Sequence, residues 1–149
     1  ADTMVSRQSK SAIAVMVERK SRFVLLEKLL RKTSLNFSGA IHSRLIDYPK
    51  HLRRTITYDN GSENVDHTII NERLSTKSYF CNPYCSWEKG SVENSIGLVR
   101  RYLPKKTDFA KLSHLELARI EFLLNSRPRK CLKYRTPLQV FNSCVALPR

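Results

Sequence analysis

Two short apolar runs, Ser11–Val17 and Arg22–Leu29, are separated only by Glu18-Arg19-Lys20-Ser21, and they constrain this chain more than anything else in it. Rich in Ile, Val, Leu and Phe, they read as a buried pair of strands joined by a tight connection. Asp2–Ser6 reads as a shorter strand before them. Thr33–Tyr48 carries Leu35, Phe37, Ile41, Leu45 and Ile46 at mixed three-and-four spacing and is expected to be a helix. Arg54–Tyr58 is a short β run ending in Asp59-Asn60-Gly61, and a strand end followed by a turn is a favourable place for a site. Val65–Leu74 suits a helix, Ser78–Phe80 a strand, and Cys81–Trp87 a polar, aromatic loop.

Further on, Val92, Ile96, Val99 and Leu103 recur at helical spacing, so an amphipathic helix is expected to run until Pro104 stops it. Ser113-x-x-Glu116 is a capping box opening an apolar helix through Leu124, which Arg127-Pro128 ends. Thr136-Pro137 starts a last helix reaching about Ser143. Strands come early and helices late, which makes an α/β or α+β sheet with helices packed on it.

At 149 residues the chain fits one domain, 1–149, and 41% hydrophobic residues with four Gly and six Pro exclude collagen-like and disordered classes. The longest apolar runs fall far short of the ~20 residues that cross a bilayer, and no signal-peptide pattern opens the chain, so a soluble cytoplasmic protein is expected. Cys81, Cys85, Cys131 and Cys144 contain no C-x-x-C pair and read as free thiols in a reducing compartment. Because the first residue is Ala and a strand follows almost at once, a piece of a longer protein lacking an N-terminal region is expected. The net charge of +14 calls for a polyanionic partner. Residues 97–149 hold 12 of the 27 basic groups and 3 of the 13 acidic ones, which places the basic face on the C-terminal helices. No G-x-x-x-x-G-K-[ST], G-x-G-x-x-G, G-x-S-x-G or H-E-x-x-H signature offers a competing chemistry.

In so basic a chain the carboxylates are informative. Asp2 starts the first strand, Asp59 ends a later one and Glu93 lies in the amphipathic helix. Hard divalent cations take carboxylate oxygens plus substrate phosphate, and a two-metal site clamps an in-line displacement from both sides. Lys89, Glu93, Gly97 and Arg100 fall along one polar face of that helix, where a backbone phosphate would approach over Gly97 with Lys89 and Arg100 neutralising it. Taken singly, each feature has an ordinary reading: an Asp before Asn-Gly is a turn residue, and a helical Glu is solvated or paired with Lys at i−4.

The longer strings decide more. Asp59-Asn60-Gly61-x-Glu63, then Asn82-Pro83-Tyr84-x-x-Trp87-x-Lys89-Gly90-x-x-Glu93-Asn94, then Asn125-x-Arg127-Pro128-Arg129-Lys130-x-Leu132-x-Tyr134-Arg135-Thr136-Pro137 resemble the catalytic core of insertion sequence 30 family transposases. The 33 residues between Asp59 and Glu93 match the D,D(33)E spacing of that family. The resemblance implies a ribonuclease H-like α/β fold, a mixed sheet flanked by helices as in retroviral integrase cores. It implies metal-dependent cleavage and strand transfer of DNA at the ends of an insertion sequence, with Asp2, Asp59 and Glu93 as the catalytic, metal-binding triad for Mg²⁺ or Mn²⁺. Lys89 and Asn94 follow as DNA or phosphate contacts, Arg127, Arg129 and Lys130 as DNA contacts, a homo-oligomer as the active complex, and a bacterial, nucleoid-associated location. End recognition belongs, on the same resemblance, to a helix-turn-helix region upstream. Three positions depart from the family pattern: Glu18, where Asp is common; Asn64, where an aromatic or aliphatic residue is usual; and Lys133, where Gly is frequent.

Plainer readings stand beside these. Cys81, Cys85 and His67 fit no standard zinc spacing. Trp87 reads as a core staple, Tyr84 and Tyr79 as either core or base-stacking groups, and Arg127–Lys130 as a solvated helix end. The rival function is a non-catalytic DNA-binding module derived from a decayed transposase core.

Overall fold

The computed structural model describes residues 1–61, 64, 66–82 and 90–145. Its elements run β1 (Asp2–Val5), β2 (Ala12–Val17), β3 (Val24–Leu29), α1 (Ser34–Leu45), β4 (Thr55–Tyr58), α2 (His67–Leu74), β5 (Lys77–Phe80), α3 (Gly90–Val99), α4 (His114–Asn125) and α5 (Pro137–Val145). β1, β2 and β3 form an antiparallel meander with Asp2 opposite Val15 and Ala12 opposite Leu29, while β4 and β5 pair in parallel. The Ala1 nitrogen donates to the Thr57 carbonyl at 2.7 Å, which sets the start of β1 against β4.

The period-2 alternation of the first two apolar runs explains the layers. Ile13 and Val15 of β2, with Val24 and Leu26 of β3, face one core with Val92 and Val99 of α3 and Leu117, Ile120 and Leu124 of α4. Ala12, Ala14 and Met16, with Leu25 and Leu29, face a second core with Phe37 and Ile41 of α1 and Ile70 and Leu74 of α2. Helices thus cover both faces of the sheet, so β2 is apolar throughout. Phe141 of α5 stacks on Phe23 with ring centroids 4.4 Å apart and closes the end of the β2–β3 hairpin.

The exposed backbone edge of β3 is closed by side chains of α4. Asn125 donates from Nδ2 to the Val24 carbonyl at 2.7 Å and accepts the Val24 N–H at 2.8 Å, as a neighbouring strand would. One helical turn earlier, Glu121 accepts the Leu26 N–H at 2.7 Å and binds Arg44 of α1. Burial pushes the Glu121 carboxyl above its ordinary value, and the Leu26 and Arg44 bonds offset only part of that effect.

Two expectations need correction. The amphipathic helix ends at Val99, not at Pro104: Arg101 N–H bonds to the Leu98 carbonyl and Tyr102 N–H to the Val99 carbonyl. These i→i−3 bonds tighten the chain out of the α ladder, and Leu103 reaches the core from the turn beyond. The C-terminal positive charge also lies on connections rather than helices, since α4 carries Arg119 alone and α5 no basic residue.

Candidate active site

Asp59 follows Tyr58, which is fully buried as the last residue of β4. Burial pushes the Tyr58 hydroxyl up to about 12, so that ring anchors the strand end as a neutral group. The chain then turns sharply. Asn60 Nδ2 donates to the Cys81 carbonyl at 3.1 Å, and Cys81 N–H bonds to the Tyr58 carbonyl at 2.9 Å, fastening the turn to the end of β5. One Asp59 carboxylate oxygen, Oδ1, accepts from Gly61 N–H at 3.1 Å and from Asn64 Nδ2 at 2.7 Å.

Asp2 is half-buried, and its Oδ1 accepts from Thr3 N–H at 2.7 Å. It follows Ala1 by one residue and Asp59 follows Thr57 by two, so the Ala1–Thr57 bond brings the two aspartate-bearing segments side by side. Glu93 is exposed in the first turn of α3. Among the described residues no three His, Cys, Asp or Glu side chains are grouped to hold a metal ion together, so Asp2, Asp59 and Glu93 are not drawn into one ligand shell. Their donor chemistry, carboxylate oxygen only, fits a hard divalent cation.

The expected DNA contacts fall into two kinds. Asn94 is exposed on α3 and lines a cleft of about 430 Å³ with Arg22, Ser91, Ser95 and Arg129. Arg22, at the end of the β2–β3 turn, has a left-handed φ of 61° and donates from Nη1 to Ser91 Oγ. Its turn is prebuilt by Glu18, whose carboxylate accepts from Lys20 N–H, Ser21 N–H and Ser21 Oγ. Burial opposes ionisation of Glu18, but those hydrogen bonds together outweigh it and hold the carboxyl below its ordinary value. Arg129 is half-buried, with Nη2 on the Leu124 carbonyl at 3.1 Å, and burial lowers its guanidinium from the ordinary value. Arg127 and Lys130 are exposed. An added Cβ at Gly97 would meet nothing within 4 Å, which leaves that part of α3 open.

Arg100 differs from its expected place. It follows the last residue of α3, its Nη2 donates to the Val5 carbonyl at 2.7 Å, and its guanidinium lies 5.7 Å from the centre of the Phe109 ring. The departure at Lys133 also has a structural meaning. Lys133 and Tyr134 are consecutive left-handed residues, with φ of 54° and 63°, in a turn closed by Tyr134 N–H on the Arg129 carbonyl. A glycine adopts such a φ without steric cost. Lys89, Glu63, Tyr84, Cys85 and Trp87 lie outside the described residues, while Cys131 and Cys144 are free thiols. The residues that sequence reasoning undervalued are Asn64, Arg22 and Asn125. Asn64 left a signal there as a polar residue where an apolar one is usual, and Asn125 as the first residue of the third string, although neither signal gave its role.

The arrangement has the fold of a known class. The catalytic core domain of BIV integrase superposes with a TM-score of 0.70 at 20% identity, over 96% of this chain and 91% of that one, which makes the fold ribonuclease H-like. No family model matches the chain. In sequence it is 38% identical, over 97% of its length, to transposase InsI for insertion sequence element IS30A of Escherichia coli K12. It is 40% identical over 99% of its length to the transposase for IS1086 of Cupriavidus metallidurans, and 39% identical over 97% to that for IS4351 of Bacteroides fragilis. Over nearly all of its own length the chain is thus similar to insertion sequence 30 transposases. The chain spans 38–44% of the length of these relatives.

Proposed function

We propose that residues 1–149 form the catalytic core domain of a DDE transposase, which cleaves DNA strands at the ends of an insertion sequence and joins the freed 3′ ends to a target. The observation that supports this reading is the Ala1–Thr57 hydrogen bond, which sets the start of β1, where Asp2 stands, against the end of β4, which Asp59 follows; Glu93 lies in the first turn of α3. These three would hold Mg²⁺ or Mn²⁺, which supplies activation of a water or 3′-hydroxyl and charge stabilisation at the leaving oxygen. The chain's own part is orientation. The turn after β4 fixes Asp59 through Gly61 and Asn64, and the sheet fixes Asp2 opposite Val15.

Positive charge then holds the DNA. Arg22 and Arg129 line the cleft beside Asn94, and Arg127 and Lys130 extend the basic surface. Phosphate contacts of this kind position a duplex without reading its sequence. No helix among the described residues is long and apolar enough to cross a membrane, and we place the protein with the nucleoid, working as a homo-oligomer on its DNA.

Strand cleavage and joining on a duplex carrying the element's end tests the reading. Asp59→Asn and Glu93→Gln should abolish both while leaving DNA affinity within about threefold, since they remove a ligand and not a phosphate contact. Wild-type rates in either variant, or in excess chelator, would refute it.

A further inference from the structure

We infer that Asn64 is a positioning residue for Asp59, so that this chain sets the orientation of its central carboxylate with a buried amide where its family usually places an apolar side chain. The inference rests on the reading of Asp59 as a metal ligand. Asn64 is 5% exposed, and its Nδ2 donates both to Asp59 Oδ1 at 2.7 Å and to the Asp59 carbonyl at 2.9 Å. Two acceptors on one residue define the plane of the amide and the rotation of the carboxylate together.

The amide is itself held from behind. Asn64 N–H donates to the Gly61 carbonyl at 3.1 Å, and its own carbonyl lies 2.9 Å from His67 Nδ1 at the start of α2. Among the described residues the side-chain oxygen is buried without a hydrogen-bond partner. An unpartnered buried acceptor costs stability. A residue kept at that cost, five positions after Asp59, is explained by what its other side-chain atom does: it fixes Oδ1. A leucine would fill the same volume and supply no donor, so the carboxylate would keep the longer Gly61 N–H bond but lose the shorter of the two donors that restrain its broad χ2 torsion.

Groups that hydrogen-bond a metal-ligating carboxylate typically matter ~10–100-fold in metal affinity. The test is Mn²⁺ binding to this chain by calorimetry, without DNA, for the wild type, Asp59→Asn, Asn64→Leu and Asn64→Ser, with thermal unfolding in metal-free buffer as a folding check. The backbone bonds to Gly61 and His67 do not depend on the side chain, so the turn persists in both Asn64 variants. The serine variant is too short to reach Asp59 and needs no apolar fit, so it reads the same effect where leucine disturbs folding. The expected result is Mn²⁺ binding weakened at least tenfold in Asp59→Asn and in each folded Asn64 variant. Weakening in Asp59→Asn with binding within threefold of wild type in either folded Asn64 variant overturns the inference and leaves the site reading intact. Unchanged binding in Asp59→Asn overturns both.

Discussion

Replacing Asn125 by leucine tests how the sheet that carries Asp2 is kept intact. Asn125 is 3% exposed and makes two short bonds to one residue, Val24, which is itself 1% exposed. Leucine keeps the volume, so no large cavity opens, but it strands both the N–H and the carbonyl of Val24 in the interior. Each orphaned group costs ~1–3 kcal/mol, and the extra apolar burial returns part of that, for a net loss of about 2–5 kcal/mol. For a chain of this size each kcal/mol moves the melting temperature by ~2–4 °C, so a fall of roughly 5–20 °C is expected. The assay is reversible urea and thermal unfolding followed by circular dichroism, with Arg119→Ala, an exposed change on the same helix, as the reference. A loss below about 1 kcal/mol would show that α4 does not close the edge of β3, and the argument from paired backbone groups would fail.

Two further outcomes follow from the charges. Glu18 lies below its ordinary value of 4.5, so its contribution is present above that pH and is lost as pH falls through its folded value, whereas Glu121 lies above 4.5, so its contribution is present in acid and is lost as pH rises through its folded value. Urea unfolding across pH should therefore show Glu18→Gln flattening the acid side of the stability curve and Glu121→Gln flattening the side above it; wild-type slopes in both would contradict the hydrogen-bond and burial accounts. On duplex DNA, Arg127→Ala and Lys130→Ala should each reduce the slope of log K against log salt by ~0.9, equally for every sequence tested, and an unchanged slope would return these residues to the solvent.

Much of this architecture was legible because it rests on local rules. The apolar runs gave the β2–β3 hairpin, Ser113 and Glu116 gave the start of α4 through a reciprocal capping box, and Thr136 with Pro137 gave α5. The end of α3 was not legible, because periodicity alone continues to Leu103 while the chain tightens at Arg101 to bring that leucine into the core. Arg100 was misplaced for the same reason, since its partner Val5 is distant in sequence. The role of Asn125 was hidden likewise: its bonds to Val24 span 101 residues, and nothing in a helix C-terminus announces that its last side chain will pair with a strand edge. At the site, the types and spacing of Asp2, Asp59 and Glu93 were visible, whereas the hold on Asp59 was not. Asn64 looked like a departure from a family pattern until the turn after β4 folded it beneath the carboxylate.

The central claim is that Asp2 and Asp59 belong to one cation site, and a crystal of this chain soaked in Mn²⁺ addresses it most directly through the anomalous signal of the metal. The expected result is an Mn²⁺ peak between the two carboxylates, bonded to an oxygen of each at ~2.0–2.6 Å, the range for hard cations on oxygen ligands. A peak elsewhere with both aspartates unligated, or no peak at saturating Mn²⁺ in a well-ordered crystal, would contradict the account.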